Sequence, residues 1–271
     1  MNTSSARQYF YQEIQQPDEL INLAKAALYI AQEEYWDLDP EEYLNSLDTM
    51  AIEVEERLTR TRYPLQVIKA LNKYIFEDLK FSGNKENYYD SRNSFLNDVI
   101  DSRLGIPITL SLVYLEIARR IDFPMVGVGM PGHFLLRPNI PDMDIFVDAF
   151  NNGEVMFPED CHKRLEEIFQ QPVTFKPEFL APVTNKQFLL RMLNNLKQIY
   201  IQNRKFEKAL TVVDKMLLIF PVHPEELRDR GLIYYQLGQF LLASQDLERY
   251  LAIVPHAEDA YKIRQLLEQI G

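Results

Sequence analysis

Laid against itself at an offset of 34 residues, the last third of the chain superposes Ile199 on Ile233, Tyr200 on Tyr234, Phe206 on Phe240, Ala209 on Ala243, Leu217 on Leu251 and Pro221 on Pro255. A period of this length admits few folds, because each unit must be one supersecondary element that buries its apolar face against the next copy. Each unit holds two segments of helical periodicity: "LLRMLNNLKQIYIQN" then "FEKALTVVDKMLLIF", and "EELRDRGLIYYQLG" then "FLLASQDLERYLAIV". Small Ala209 and Ala243 permit close helix approach, and Pro221 and Pro255 stop their helices.

The pattern resembles the tetratricopeptide repeat, with copies at about 190–223 and 224–257 and "AEDAYKIRQLLEQI" as a capping helix. Lys197 stands where that family prefers glycine, and Leu193 and Leu227 replace its tryptophan. The resemblance places the concave groove on Arg191, Asn194 and Gln198 in the first copy and on Arg228, Tyr235 and Gln236 in the second. It implies a protein or peptide partner, or a groove packed on the rest of the chain.

The 271 residues exceed one typical domain. Residues 1–180 carry 17 Lys and Arg against 30 Asp and Glu, while 181–271 carry 12 against 10, so the acidity belongs to the front. No basic stripe could neutralise phosphates, which argues against nucleic acid and anionic membrane as partners. The longest apolar stretch, Ile106 to Leu115, is far short of a membrane span, and the first residues lack a leader-like apolar core. A cytoplasmic protein is expected. A single cysteine, Cys161, excludes an internal disulfide, and four scattered histidines without HExxH argue against a metal. No cofactor is expected.

The front reads as helices first, at "DELINLAKAALYIAQEEY", "DPEEYLNSLDTMAIEVEERL", "PLQVIKALNKYIFEDL", "SFLNDVIDSRL" and "PITLSLVYLEIARRI". Asp39 before Pro40 is an N-cap followed by proline at the first helical position. Strand patterns follow at "MVGVGM", "HFLLRP" and "DIFVDAF", giving an α+β domain with an antiparallel sheet. The loop "GVGMPG" matches a dinucleotide-binding spacing, but "HFLLR" after it alternates like a strand, so no helix N-terminus would face a phosphate. Prolines 172, 177 and 182 interrupt any helix in "QQPVTFKPEFLAPVTNK", which reads as a linker or an extended packing segment.

If "HFLLR" and "DIFVD" form a hairpin closed by Arg137 and Asp144, His133 falls opposite Asp148. Opposed Cβ atoms lie roughly 4.5–5.5 Å apart, within reach for a carboxylate to orient an imidazole. Such a pair serves either as a catalytic dyad or as two polar groups satisfying each other at a sheet rim.

The run "NYYDSRNSFLNDVIDSRLGIPITLSLVYLEIARRIDFPMVGVGMPGHFLLRP", followed by "DIFVDAFNNGEVM" and "EDC", resembles the SirB-type group of bacterial transglutaminase-like proteins. The resemblance implies a transglutaminase-like domain of the papain-like superfamily over 1–180, with a helical part to about 104 and a core at about 105–170. An all-α repeat domain over 181–271 would follow. In active members a cysteine opening a core helix attacks an acyl group, assisted by histidine and aspartate on later strands. His133 and Asp148 match those two positions, but Pro107 stands where the cysteine belongs. The leading expectation is therefore a degenerate, non-catalytic protein acting through its repeats. The alternative is an amide or peptide hydrolase or acyl transferase using His133 and Asp148 with water, Ser111 or Cys161.

Overall fold

The computed structural model describes residues 3–270. Two compact units emerge, Met1–Leu189 and Leu190–Gly271. The first is an α+β unit of helices around a small antiparallel sheet, and the second is a run of helical hairpins.

The first unit opens with α1 (Thr3–Ile14), a helix the sequence pattern did not announce. It packs on α2 (Leu23–Gln32) and buries Phe10 and Ile14 completely, each such burial being worth roughly 1.5–3 kcal/mol. Asn22 caps α2 by accepting from Lys25 N–H. At α3 (Pro40–Glu55), Asp39 accepts from Glu41 N–H and Pro40 occupies the first turn, as expected. Next come α4 (Pro64–Asn72), extended by a π-helical turn at Lys73–Asp78, and α5 (Leu96–Ser102).

Helix α6 (Pro107–Arg120) is the axle of this unit, with every residue from Pro107 to Ala118 buried. Helices α3 and α5 pack against it, as does the sheet. The sheet is an antiparallel meander, β3 (Met125–Val128), β4 (Leu135–Pro138), β5 (Phe146–Asp148) and β6 (Glu154–Met156). A short parallel pair, β1 (Ser82–Gly83) with β2 (Leu104–Gly105), lies before it in sequence.

The hairpin register differs from the expected one. Leu136 pairs with Val147 rather than with Ile145, a slip of two residues. Side chains alternate with a period of two, so the slip leaves every side chain on its expected face.

Val128, Met130, Leu135, Phe146, Met156, Cys161 and Leu165 form one apolar cluster between the sheet and α7 (Pro158–Phe169). Val173, Phe175, Phe179 and Leu180 pack on its margin, so the proline-rich stretch is a packing segment.

The repeats comprise α8 (Asn185–Gln202), α9 (Phe206–Ile219), α10 (Pro224–Gln236), α11 (Phe240–Ile253) and α12 (Ala260–Ile270). A Cβ on Gly231 would sit 2.7 Å from Leu247 Cγ, so a side chain there would have to push Leu247 aside where α10 packs on α11. At the equivalent place in the first copy, Lys197 is buried, its Nζ 2.8 Å from Glu226 Oε2 and 2.7 Å from Asp229 Oδ2. The departure from glycine is thus part of an ion pair between successive repeats. No helix among the described residues is long and apolar enough to cross a membrane.

Candidate functional site

Asp148 ends β5 and caps the helical turn Ala149–Asn151, its Oδ1 accepting from the N–H groups of Phe150 (3.1 Å) and Asn151 (3.2 Å). The Asx-like turn follows from "DAFNNG", where a short acidic side chain precedes turn-forming residues. The other oxygen, Oδ2, takes three donors: His133 Nε2 at 2.8 Å, Asn151 Nδ2 at 2.9 Å and Arg164 Nη1 at 2.7 Å. Asp148 is fully buried and His133 is 7% exposed.

Burial pushes the Asp148 carboxyl upward, but the His133 and Asn151 hydrogen bonds and the Arg164 charge together hold it below the usual carboxylate range. A carboxylate can only accept, so His133 Nε2 is the donor in this pair. The Asp148 charge is shared between an imidazole and a guanidinium. Arg164 also reaches Glu154 (2.8 Å) and Glu167 (3.2 Å), tying α7 to the sheet.

An aromatic path runs outward from the imidazole. His133 meets Phe150 edge-on, Phe150 meets Tyr88, and Tyr88 meets the exposed Tyr89, at centroid distances of 6.2, 5.9 and 5.3 Å. Gly83 is required beneath Phe150, since a Cβ there would lie 2.6 Å from the ring. Asn93 holds the loop bearing Tyr88: its amide donates to the carbonyls of Asn87 (2.7 Å) and Tyr88 (3.2 Å) and accepts from Asn84 (2.9 Å).

Each side chain weighed as a nucleophile has a defined place. Pro107 is the buried first residue of α6. Thr109 Oγ1 donates to Asn93 C=O at 2.7 Å and accepts from Ile106 N–H at 3.1 Å, so it caps the helix. Ser111 Oγ is buried without a hydrogen-bond partner among the described residues, and no base touches it. Cys161 lies inside the apolar cluster, where burial, with Asp160 and Asp148 adding, pushes its thiol up to about 12. Near neutrality it carries no appreciable thiolate.

Of the residues assigned to the repeat groove, Gln198 and Gln236 are exposed, and Arg191, Asn194 and Tyr235 are half-buried. Tyr235 stacks at a tilt on Phe240, 5.7 Å away. Arg228 is engaged within the repeats, at 2.9 Å from Asp229 and 3.1 Å from Asp259, and it lines a cleft of about 770 Å³ with Tyr250 and His223. Arg164, Asn151 and Asn93 were not among the sequence-derived site residues. Of the three, only Asn151 had a local signal, its place in the turn after Asp148.

Residues 41–194 match the transglutaminase-like superfamily, and residues 196–268 match the tetratricopeptide repeat. A UPF0162 protein of Xylella fastidiosa (strain 9a5c) is 37% identical over 254 residues, covering 91% of this chain and 89% of that protein. One from Vibrio cholerae is 31% identical over 204 residues, 75% of this chain and 73% of its own length. F-box only protein 21 of Homo sapiens is 32% identical over 184 residues, which is 64% of this chain but 28% of the human protein. The chain belongs to the transglutaminase-like superfamily, among the UPF0162 proteins, and carries tetratricopeptide repeats behind that domain.

Proposed function

We propose that this chain acts by binding another protein through its repeats, and that its transglutaminase-like domain performs no covalent acyl transfer. The observation carrying the reading is Pro107 at the head of α6, combined with a sole thiol, Cys161, kept protonated inside the apolar cluster. A Cys–His–Asp mechanism needs a thiolate beside the imidazole. Here the imidazole and carboxylate remain, and Arg164 shares the carboxylate. The partner would meet Asn194, Gln198, Tyr235 and Gln236, with Arg191 and Arg228 at the same groove.

The test is partner retention. Full-length protein carrying Asn194→Glu and Gln198→Glu should lose a cross-linked partner that wild type and His133→Ala both keep. Retention by the groove variant, or loss in His133→Ala alone, would sink the reading.

A second reading has one observation in its favour: Asp148 orients His133 at 2.8 Å while two backbone N–H groups fix the carboxylate. In that reading the oriented imidazole activates water for amide hydrolysis, with no thiol needed.

A further inference from the structure

At the free edge of the sheet, β3 presents main-chain groups to a cavity. On the β4 side, Pro124 C=O accepts from Asn139 N–H at 2.8 Å, whereas on the outer side Gly127 C=O accepts from Val183 N–H at 2.9 Å. Peptide groups alternate in direction from residue to residue along a strand. Both bonds therefore assign one phase, in which Val126 faces β4 and Met125 turns its N–H and C=O outward. Among the described residues no segment pairs with Met125 on that side.

The edge already accepts added residues, for Pro182 lies antiparallel opposite Val128 and Val183 bonds to Gly127. That pairing ends where the chain enters α8, whose first N–H groups, from Asn185 and Lys186, are held by the Asp18 carboxylate at 2.8 and 2.9 Å. Beside Met125 and Val126 opens a cavity of about 450 Å³, with Leu23, Leu115 and Phe188 as apolar surface. Glu19, Glu116 and Arg119 are its charges. Glu116 is engaged by Arg119 at 3.0 Å and by Arg120, while Glu19 is exposed and makes no ion pair among the described residues.

We infer that the outer edge of β3 binds an extended segment of a partner protein that carries apolar and basic side chains on the same face. Its backbone pairs with Met125, an apolar side chain enters the cavity, and a basic side chain two residues away, on the same face of the segment, faces Glu19. An open sheet edge supplies main-chain hydrogen bonds, and the flanking pocket supplies choice of side chain. The acidity of residues 1–180 favours the same sign of partner. This site is separate from the repeat groove.

The probe is a fluorescein-labelled hexapeptide, Val-Thr-Lys-Thr-Val-Thr, which sets valine and lysine on one face of an extended strand, added to the full-length protein. Saturable anisotropy is expected, with amide-exchange protection over residues 125–127. Met125→Pro removes the outward N–H without touching the β4 ladder, since proline is tolerated where the N–H faces away from the sheet. It should weaken binding about tenfold, as should N-methylation of alternate peptide residues. Glu19→Lys, on the surface, should weaken it several-fold and keeps the test informative if Met125→Pro fails to fold. The inference is overturned by absence of binding, by equal binding of the peptide with glutamate in place of lysine or of the N-methylated peptide, or by full affinity in both variants. Protection falling on residues 190–270 instead of 125–127 also overturns it.

Discussion

Arg164 and His133 meet on the same oxygen of Asp148, at 2.7 and 2.8 Å. A buried carboxylate with five donors is a structural hub, joining the β3–β4 turn, the end of β5 and α7. Its acid–base behaviour follows from that geometry. Burial raises the Asp148 carboxyl, but His133, Asn151 and Arg164 prevail and the net shift is downward. A carboxyl whose folded pKa is depressed adds stability above its unfolded value near 3.9, and that stability is lost as pH falls through the folded value. Asp148→Asn should cost about 3 kcal/mol at pH 7, because it leaves Arg164 without its buried counter-charge. In urea unfolding, the gap to wild type should narrow at pH 3; a gap that stays constant would contradict the assignment.

Cys161 should behave as core. In native protein its labelling by a disulfide reagent should proceed only as fast as the fold opens, and should accelerate in urea. Cys161→Ala should cost about 1 kcal/mol and Cys161→Ser more, since a hydroxyl is then buried in an apolar cluster. Rapid native labelling at pH 7 would mean an accessible, activated thiol.

Asn93→Ala removes the amide that holds the Asn87 and Tyr88 carbonyls. Asn87 C=O keeps its bond from Asp90 N–H, so the loss falls on Tyr88 C=O and on the Asn84 amide and should cost about 1–3 kcal/mol, read by thermal unfolding. The ring resonances of Tyr88 should broaden or shift while those of Tyr250 in the repeats stay fixed.

The histidine–aspartate pair was legible in the sequence because strand periodicity forgives even-numbered errors. The hairpin slipped by two residues, yet Asp148 stayed on the face where His133 reaches it. Arg164 was not legible: its approach depends on how α7 folds back on the sheet, and nothing local to "HKRLEE" marks one basic residue over its neighbour. Helix α1 was missed because "TSSARQYFYQEI" has few apolar positions, and tertiary burial of Phe10 and Ile14 holds it. The 34-residue period disclosed the repeats, whereas the reason for lysine at position 197 needed Glu226 and Asp229 in space.

That lysine makes its own prediction. Burial raises the Glu226 carboxyl, with Lys197 opposing. Lys197→Met leaves the carboxylate uncompensated and should cost about 3–5 kcal/mol at pH 7. A carboxyl whose folded pKa is raised destabilises the fold when ionised, so the penalty should shrink as pH falls through that raised value. Chemical unfolding of the variant at pH 7 and pH 5 checks the sign, and adding Glu226→Leu should recover stability.

Covalent acyl transfer is read out by intact-mass spectrometry of the full-length protein incubated with a thioester acyl donor and quenched in acid. An unmodified mass is expected at every time point, in wild type and in Cys161→Ala alike. An acyl adduct that forms in wild type and vanishes in Cys161→Ala or His133→Ala would contradict it and establish a working nucleophile.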